Sequence, residues 1–170
     1  MLSATGRKFL RGPRGTGFLY VRRELMLRLE PPLIDHFGAV WVAPERYELR
    51  PDARRFESWE NNYAARLGLG VAIDYALSIG IDPIMSRARL LADMMREALM
   101  CIPRVEIKDL GTERAAIVTF TVQGVDASDV KARLAAQGIN VTTSQPSSTL
   151  LDAITRSLPT VVRASPHYYN

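Results

Sequence analysis

The order of hydrophobic periodicities between residues 83 and 165 does most to narrow the folds open to this chain. Asp82 is a good N-cap and Pro83 a good first helical residue. Ile84, Ala88, Leu91, Met95, Ala98 and Ile102 then recur at helical spacing up to Pro103. "RVEIKDL" (104–110) and "AAIVTFTVQ" (115–123) read as strands around a turn at Gly111. "DASDVKARLAAQG" (126–138) is a capped helix, with Asp126 as N-cap, Asp129 in the first turn and Gly138 past the end. "INVTTS" (139–144) is a strand, "TLLDAITRSL" (149–158) a short helix and "TVVRAS" (160–165) a last strand. Helix, strand, strand, helix, strand, helix, strand predicts a small α+β layer, a largely antiparallel sheet with helices on one face.

The first half is less regular. "GFLYV" (17–21) is a compact apolar run bounded by glycine and charge, which predicts a buried strand. "RRELMLRLE" gives about two helical turns before Pro31 and Pro32. Short pieces such as "AVWV" and the charged "RYELRPDARRFE" predict loops and brief strands crossing a surface. "ENNYAARLGLGVAIDYALSIG" (60–80) carries Ala65, Leu69, Ala72, Ile73, Ala76 and Leu77 at helical spacing. Gly68 and Gly70 permit close packing there, and Gly80 is a stop signal.

Composition excludes more than it assigns. Among 170 residues no apolar run escapes interruption by Arg, Asp or Glu over the length of a membrane span. The N-terminus lacks the apolar core and cleavage site of a signal peptide. A single cysteine, Cys101, excludes an internal disulfide framework and fits a reducing cytoplasm. Its position at a helix end beside an apolar strand reads as core. One Cys with the distant His36 and His167 makes a poor zinc set. The net charge of +4 could suit nucleic acid, but only the opening segment is one-sidedly basic.

That segment, "SATGRKFLRGPRGTGFLYV" (3–21), admits three readings. As a nucleotide loop it fails on spacing. Gly12 and Gly17 are placed as in a P-loop, but Phe18 and Leu19 stand where Lys and Ser/Thr are needed. A dinucleotide fingerprint fails because Tyr20 occupies a glycine position. As a nucleic-acid arm it rests on Arg7, Lys8, Arg11 and Arg14 alone, a charge run that is more commonly a solvated face. As a reactive-lysine turn it has more chemistry: Thr5, Gly6 and Arg7 place a hydroxyl, a hinge and a guanidinium ahead of Lys8. A lysine so placed can bind a carbonyl cofactor while its neighbours hold a phosphate.

"TGRKFLRGPRGTGFLYVRRE" resembles the segment around the cofactor lysine of class V aminotransferases, the fold-type I pyridoxal-phosphate enzymes that include isopenicillin N epimerases and cysteine desulfurases. "RRFESWENNYAARLGLGVAIDYALSIG" is similar to that family's "RFE" and the following Gly/Leu/Ala-rich helix, and "VVRASPHYYN" resembles its C-terminal Arg-x-Ser strand. The three motifs stand in the family's order and cover nearly the whole chain. The resemblance implies a mixed α/β chain: residues 1–82 as the end of the large cofactor domain, residues 83–170 as the small C-terminal α+β domain. It implies pyridoxal 5'-phosphate as cofactor and Lys8 as the Schiff-base lysine that also moves the proton at the substrate's alpha carbon. Thr5 and Arg7 match positions beside the cofactor phosphate, Arg7 standing where His is more usual. Arg163 matches the arginine that holds the substrate carboxylate, a task suited to a planar bidentate donor. An amino-acid substrate, a cytoplasmic homodimer, and no nucleic-acid or membrane partner are the expected setting.

The departures carry information too. Where many relatives have Gly-Thr after "RFE", this chain has Ser58 and Trp59; Ser58 or Asn62 is the candidate for the phosphate contact made there. Desulfurases need a nucleophilic cysteine in the loop before the last strand, and "TTSQPSSTLLD" has none, which sets this chain apart from them. The acidic partner of the pyridine nitrogen and the stacking ring are expected well ahead of the lysine, so the chain is expected to be the C-terminal part of a longer enzyme, or alternatively an inactive remnant. A basic nucleic-acid-binding module is the remaining alternative.

Overall fold

The computed structural model describes all residues, 1–170. Contacts divide the chain into two compact units, Met1–Ser78 and Ile79–Asn170, a boundary four residues before the one expected from the sequence.

In the first unit, strands β1 (Leu2–Thr5) and β2 (Gly17–Tyr20) pair antiparallel, with Thr5 opposite Gly17. β2 is not the buried strand that its apolar run predicts: Gly17–Tyr20 are all exposed, because only one neighbour pairs with it and no layer covers it. Helix α1 is a single turn, Arg23–Met26, shorter than predicted. Strands β3 (Ala39–Ala43) and β4 (Arg46–Leu49) form a second hairpin. A 3-10 turn, Ala53–Phe56, follows, with the Asp52 carboxylate accepting from the Arg54 N–H at 3.0 Å.

Helix α2 (Tyr63–Ile79) begins where Asn62 Oδ1 accepts the Ala65 N–H at 3.0 Å, the N-cap geometry. Leu69 and Ala76 are buried on its predicted stripe, but Leu77 is 60% exposed. Of the two glycines expected to allow close packing, only Gly68 does so. A Cβ there would lie 2.9 Å from Pro13 Cγ, while one at Gly70 would meet nothing.

The first unit also buries a cation that the sequence reading left on the surface. Arg55 is 6% exposed. Its Nε donates to the Arg50 carbonyl at 2.7 Å and its Nη1 to that of Met26 at 2.6 Å, the last residue of α1. Arg55 thus satisfies a carbonyl that a one-turn helix leaves open, and a cation suits the negative end of that turn.

In the second unit, β5 (Val105–Ile107), β6 (Val118–Val122), β8 (Val161–Ala164) and β7 (Thr142–Ser144) form a four-stranded sheet in that order, every pair antiparallel. Helices α3 (Ile81–Met100) and α4 (Ala127–Ala135) pack on the face that presents Val118, Phe120 and Val162, the core of the unit. Helix α5 (Leu150–Arg156) follows a 3-10 turn, Pro146–Thr149.

Helix α3 starts two residues before its expected first turn. Gly80, at φ 98°, precedes it, and Asp82 lies inside the first turn, not at the cap. Its buried stripe is Ala88, Ala92 and Arg96, with Leu99 packed beside it; Ala98 and Ile102 are exposed. Cys101 caps the end of α3 and is exposed, a correction to its reading as core: the helix turns its Leu99 side inward and leaves the next residues outside.

Candidate functional site

The local build of the Lys8 turn begins at the β1–β2 hairpin. Its connection, residues 6–16, is tied across its base. The Gly6 N–H donates to the Thr16 carbonyl at 2.9 Å and the Gly12 N–H to the Gly6 carbonyl at 2.8 Å. Inside it, the Lys8 carbonyl accepts from the Arg11 N–H at 2.9 Å, and Thr16 Oγ1 donates to the Pro13 carbonyl at 2.6 Å. Glycine is required where the two arms converge, since a Cβ on Gly6 would stand 2.5 Å from Thr16 Oγ1 and 2.7 Å from Leu69 Cδ1. The chain therefore holds Lys8 on a closed loop seated against α2.

Lys8, Thr5 and Arg7 are exposed, and none of their side chains is engaged in an ion pair or hydrogen bond within the chain. Lys8 and Thr5 line a cleft of about 580 Å³ whose other walls include Phe9, Phe18 and Ile73. Lys8 and Thr5 thus border one apolar cleft, with Arg7 next to Lys8 in the chain. Arg11, grouped with them by charge, is otherwise engaged: its guanidinium lies 5.0 Å from the Tyr75 ring on α2.

Ser58 and Asn62 line a second cleft of about 670 Å³ in the same unit, and Phe18 and Ile73 border both. Asn62 Oδ1 is committed to capping α2, which leaves its amide NH2 as a donor. The Ser58 carbonyl accepts from Asn61 Nδ2 at 2.5 Å, a bond that does not involve the Ser58 hydroxyl. Arg66, ion-paired to Glu57 at 3.3 Å, stands in the same cleft.

The residue that fixes this segment, Asp35, belongs to none of the motifs in the sequence. Asp35 Oδ2 accepts the Trp59 N–H at 2.7 Å, while Oδ1 accepts those of Phe37 at 2.8 Å and Gly38 at 3.2 Å. These bonds, that from Trp59 foremost, hold the Asp35 carboxyl below the usual carboxylate range. Phe37 meets Trp59 edge to face at 6.2 Å. The only local signal was an Asp two residues before a glycine-containing turn, the Asx pattern; its reach to residue 59 is tertiary.

In the second unit, Arg163 lies on β8 between Thr119 of β6 and Thr142 of β7 in register. Its neighbour Val162 is fully buried in the core, so strand alternation turns Arg163 to the opposite face, away from α3 and α4. Arg163 Nε is buried and has no acceptor in the chain. A buried guanidinium N–H without a partner costs free energy unless an anion meets it. Cys101, at the end of α3, belongs to the other side of this sheet.

A protein-family model described as aminotransferase class-V matches residues 1–170. A cysteine desulfurase of Serratia proteamaculans is 32% identical over 95% of this chain and 39% of its own length. A protein of Mycobacterium tuberculosis described as a "probable hercynylcysteine sulfoxide lyase" is 34% identical over 98% of this chain and 40% of its own. The apo structure of a cysteine desulfurase from Thermococcus onnurineus superimposes with a TM-score of 0.85 at 30% identity, over 99% of this chain and 42% of that one. A C-DES structure with glycine covalently linked to its PLP cofactor gives 0.76 at 21% identity over 96% and 40%, a likeness of fold. The chain spans about two fifths of the length of these proteins. It belongs to the aminotransferase class-V family.

Proposed function

We propose that this chain supplies the cofactor lysine and the carboxylate-binding arginine of a pyridoxal-phosphate enzyme acting on an amino acid. The observation that carries the reading is the Lys8 turn: an exposed, unengaged lysine on a loop closed by backbone bonds, lining a cleft with Thr5 and preceded in the chain by Arg7. The donor set fits the cofactor. Lys8 Nζ is the nucleophile for its carbonyl carbon, and the Thr5 hydroxyl and Arg7 guanidinium suit its phosphate. Ser58 and the Asn62 amide are the proposed donors from the adjoining cleft.

When bound, pyridoxal phosphate supplies an electron sink for charge that develops at the substrate's alpha carbon. The chain's own residues do the rest. Lys8 holds the cofactor and takes or returns the alpha proton. Phe9, Phe18 and Ile73 give the cleft that Lys8 lines an apolar wall. Arg163 grips the substrate carboxylate with two parallel N–H donors, its Nε being one that no chain acceptor uses.

The lack of a cysteine in residues 139–152, and the place of Cys101 across the sheet from Arg163, favour lyase-, epimerase- or transaminase-type chemistry over sulfur transfer through an enzyme thiol. The sulfoxide lyase among the relatives is in line with that choice, whereas the relatives described as cysteine desulfurases are not. A homodimer in the cytoplasm is the proposed setting, and the commitment of Arg11 to Tyr75 weighs against a nucleic-acid arm. Titrating pyridoxal phosphate into the protein tests the reading. A visible absorbance band that saturates, and that Lys8→Ala abolishes, is expected; an unchanged band in Lys8→Ala would overturn it.

A further inference from the structure

One buried charged group has no part in the chemistry above. Arg96 is 1% exposed near the C-terminal end of α3 and spends every guanidinium nitrogen. Nε donates to Asp109 Oδ2 at 2.8 Å and Nη1 to Asp93 Oδ1 at 2.8 Å. Nη2 donates to the carbonyls of Ala115 at 2.8 Å and Ile117 at 3.2 Å. A network this complete would serve stability alone less well than apolar residues of the same volume, so the place where it ends matters.

It ends at the strand beside Arg163. The second oxygen of Asp109 accepts the Thr119 N–H at 3.1 Å, and the Lys108 N–H donates to the Thr119 carbonyl at 2.7 Å. Thr119 is the ladder partner of Arg163 on β8. The carboxylate of Asp109 thus takes a cation from the helix layer with one oxygen and the backbone of residue 119 with the other. On the far side, Thr142 Oγ1 donates to the Arg163 carbonyl at 3.5 Å, a longer and weaker hold.

We propose that Asp109, anchored by Arg96, is a positioning residue for Arg163: it fixes the β6 backbone against which the arginine is aimed at a carboxylate ligand. The inference rests on the reading of Arg163 as the carboxylate site. Loss of the Asp109 oxygen lets β6 shift beside Arg163, and bidentate recognition tolerates little displacement.

The test follows modification of Arg163 by phenylglyoxal in the full chain, read by peptide mass spectrometry, with propionate as the carboxylate probe. Propionate is expected to protect Arg163 in the unaltered chain. Asp109→Ala is expected to raise the half-protecting concentration by about tenfold, a loss smaller than the ~100-fold that a 1 Å misplacement can cause. Val130→Ala, which trims the α4 side of the core without touching the network, is expected to leave it unchanged, a distinction a merely structural role would not make. If circular dichroism shows Asp109→Ala to be unfolded, the double variant Arg96→Met/Asp109→Leu, which removes both charges, replaces it with the same expected loss. Protection equal to that of the unaltered chain in the folded variant refutes the positioning role and leaves the Arg163 reading standing. No protection in the unaltered chain refutes the Arg163 reading itself, and the positioning role with it.

Discussion

Replacing Arg96 by Met should destabilise the second unit by about 3–5 kcal/mol, the cost of breaking a buried ion pair by removing one partner. The structure says where that cost arises. Asp109, its side chain 16% exposed, would keep only the Thr119 N–H as a partner for its charge. The carbonyls of Ala115 and Ile117 would lose their charged donor. Asp93 is 53% exposed and can turn to water, so its share is small, about 0–1 kcal/mol. Against a total stability on the order of 5–15 kcal/mol, the loss is large. Trp41 and Trp59 both lie in the first unit, so intrinsic fluorescence does not report on this network. Native-state hydrogen exchange of peptides covering β5 and β6 does. At about 1.4 kcal/mol per tenfold, their amides should exchange roughly 100- to 4,000-fold faster. Adding Asp109→Leu to Arg96→Met should recover only the share owed to the uncompensated Asp109 charge, because the carbonyls of Ala115 and Ile117 stay without their donor and the Thr119 N–H loses its acceptor. A single-variant cost below about 1 kcal/mol, or no recovery in the double variant, would refute the reasoning.

Asn62→Ala removes the cap of α2 and should cost about 0.5–2 kcal/mol, visible as a lower thermal midpoint, with Asn62→Gly milder. Gly17→Ala would place a Cβ 2.5 Å from the Ala4 carbonyl oxygen, a backbone atom with little room to yield; about 1–3 kcal/mol of overpacking strain should show as faster exchange in β1. Because the folded carboxyl of Asp35 lies below its ordinary range, its contribution is present above the unfolded pKa of about 3.9 and lost as pH falls through the lowered folded value. Acid titration of tryptophan fluorescence should therefore show a step that Asp35→Asn removes; a step unchanged in that variant would contradict the assignment.

The parts legible in the sequence were those set by local pattern. The strand and helix alternation after residue 83 specified the antiparallel sheet, because the order of elements and the turns between them show in the sequence even where a strand, such as β5 or β7, is only three residues long. The Lys8 turn was legible because glycines at 6, 12, 15 and 17 mark its loop and an apolar run follows. What was not legible depends on partners distant in the chain. Arg55 sits in a charged stretch that reads as surface and Arg96 lies off the apolar stripe predicted for its helix, and only the folded chain brings carbonyls and carboxylates around them. Arg96 takes a place in the buried stripe of α3 where a period count looks for an apolar residue. Asp82 and Pro83 suggested a helix start that Gly80 takes instead, two residues earlier, because its positive φ allows the break. β2 has the apolar composition of a buried strand, but burial requires layers that sequence pattern alone does not supply.

The central claim is that Lys8 is the cofactor lysine, and reductive trapping tests it most directly. The chain has three lysines, Lys8, Lys108 and Lys131. Lys108 is ion-paired to Glu106, and Lys131 lies on α4. After incubation with pyridoxal phosphate and reduction with borohydride, peptide mapping should find the pyridoxyl group on Lys8 at one equivalent and at most traces on the other two. Equal labelling of all three, a label confined to Lys108 or Lys131, or none on Lys8 would contradict the account.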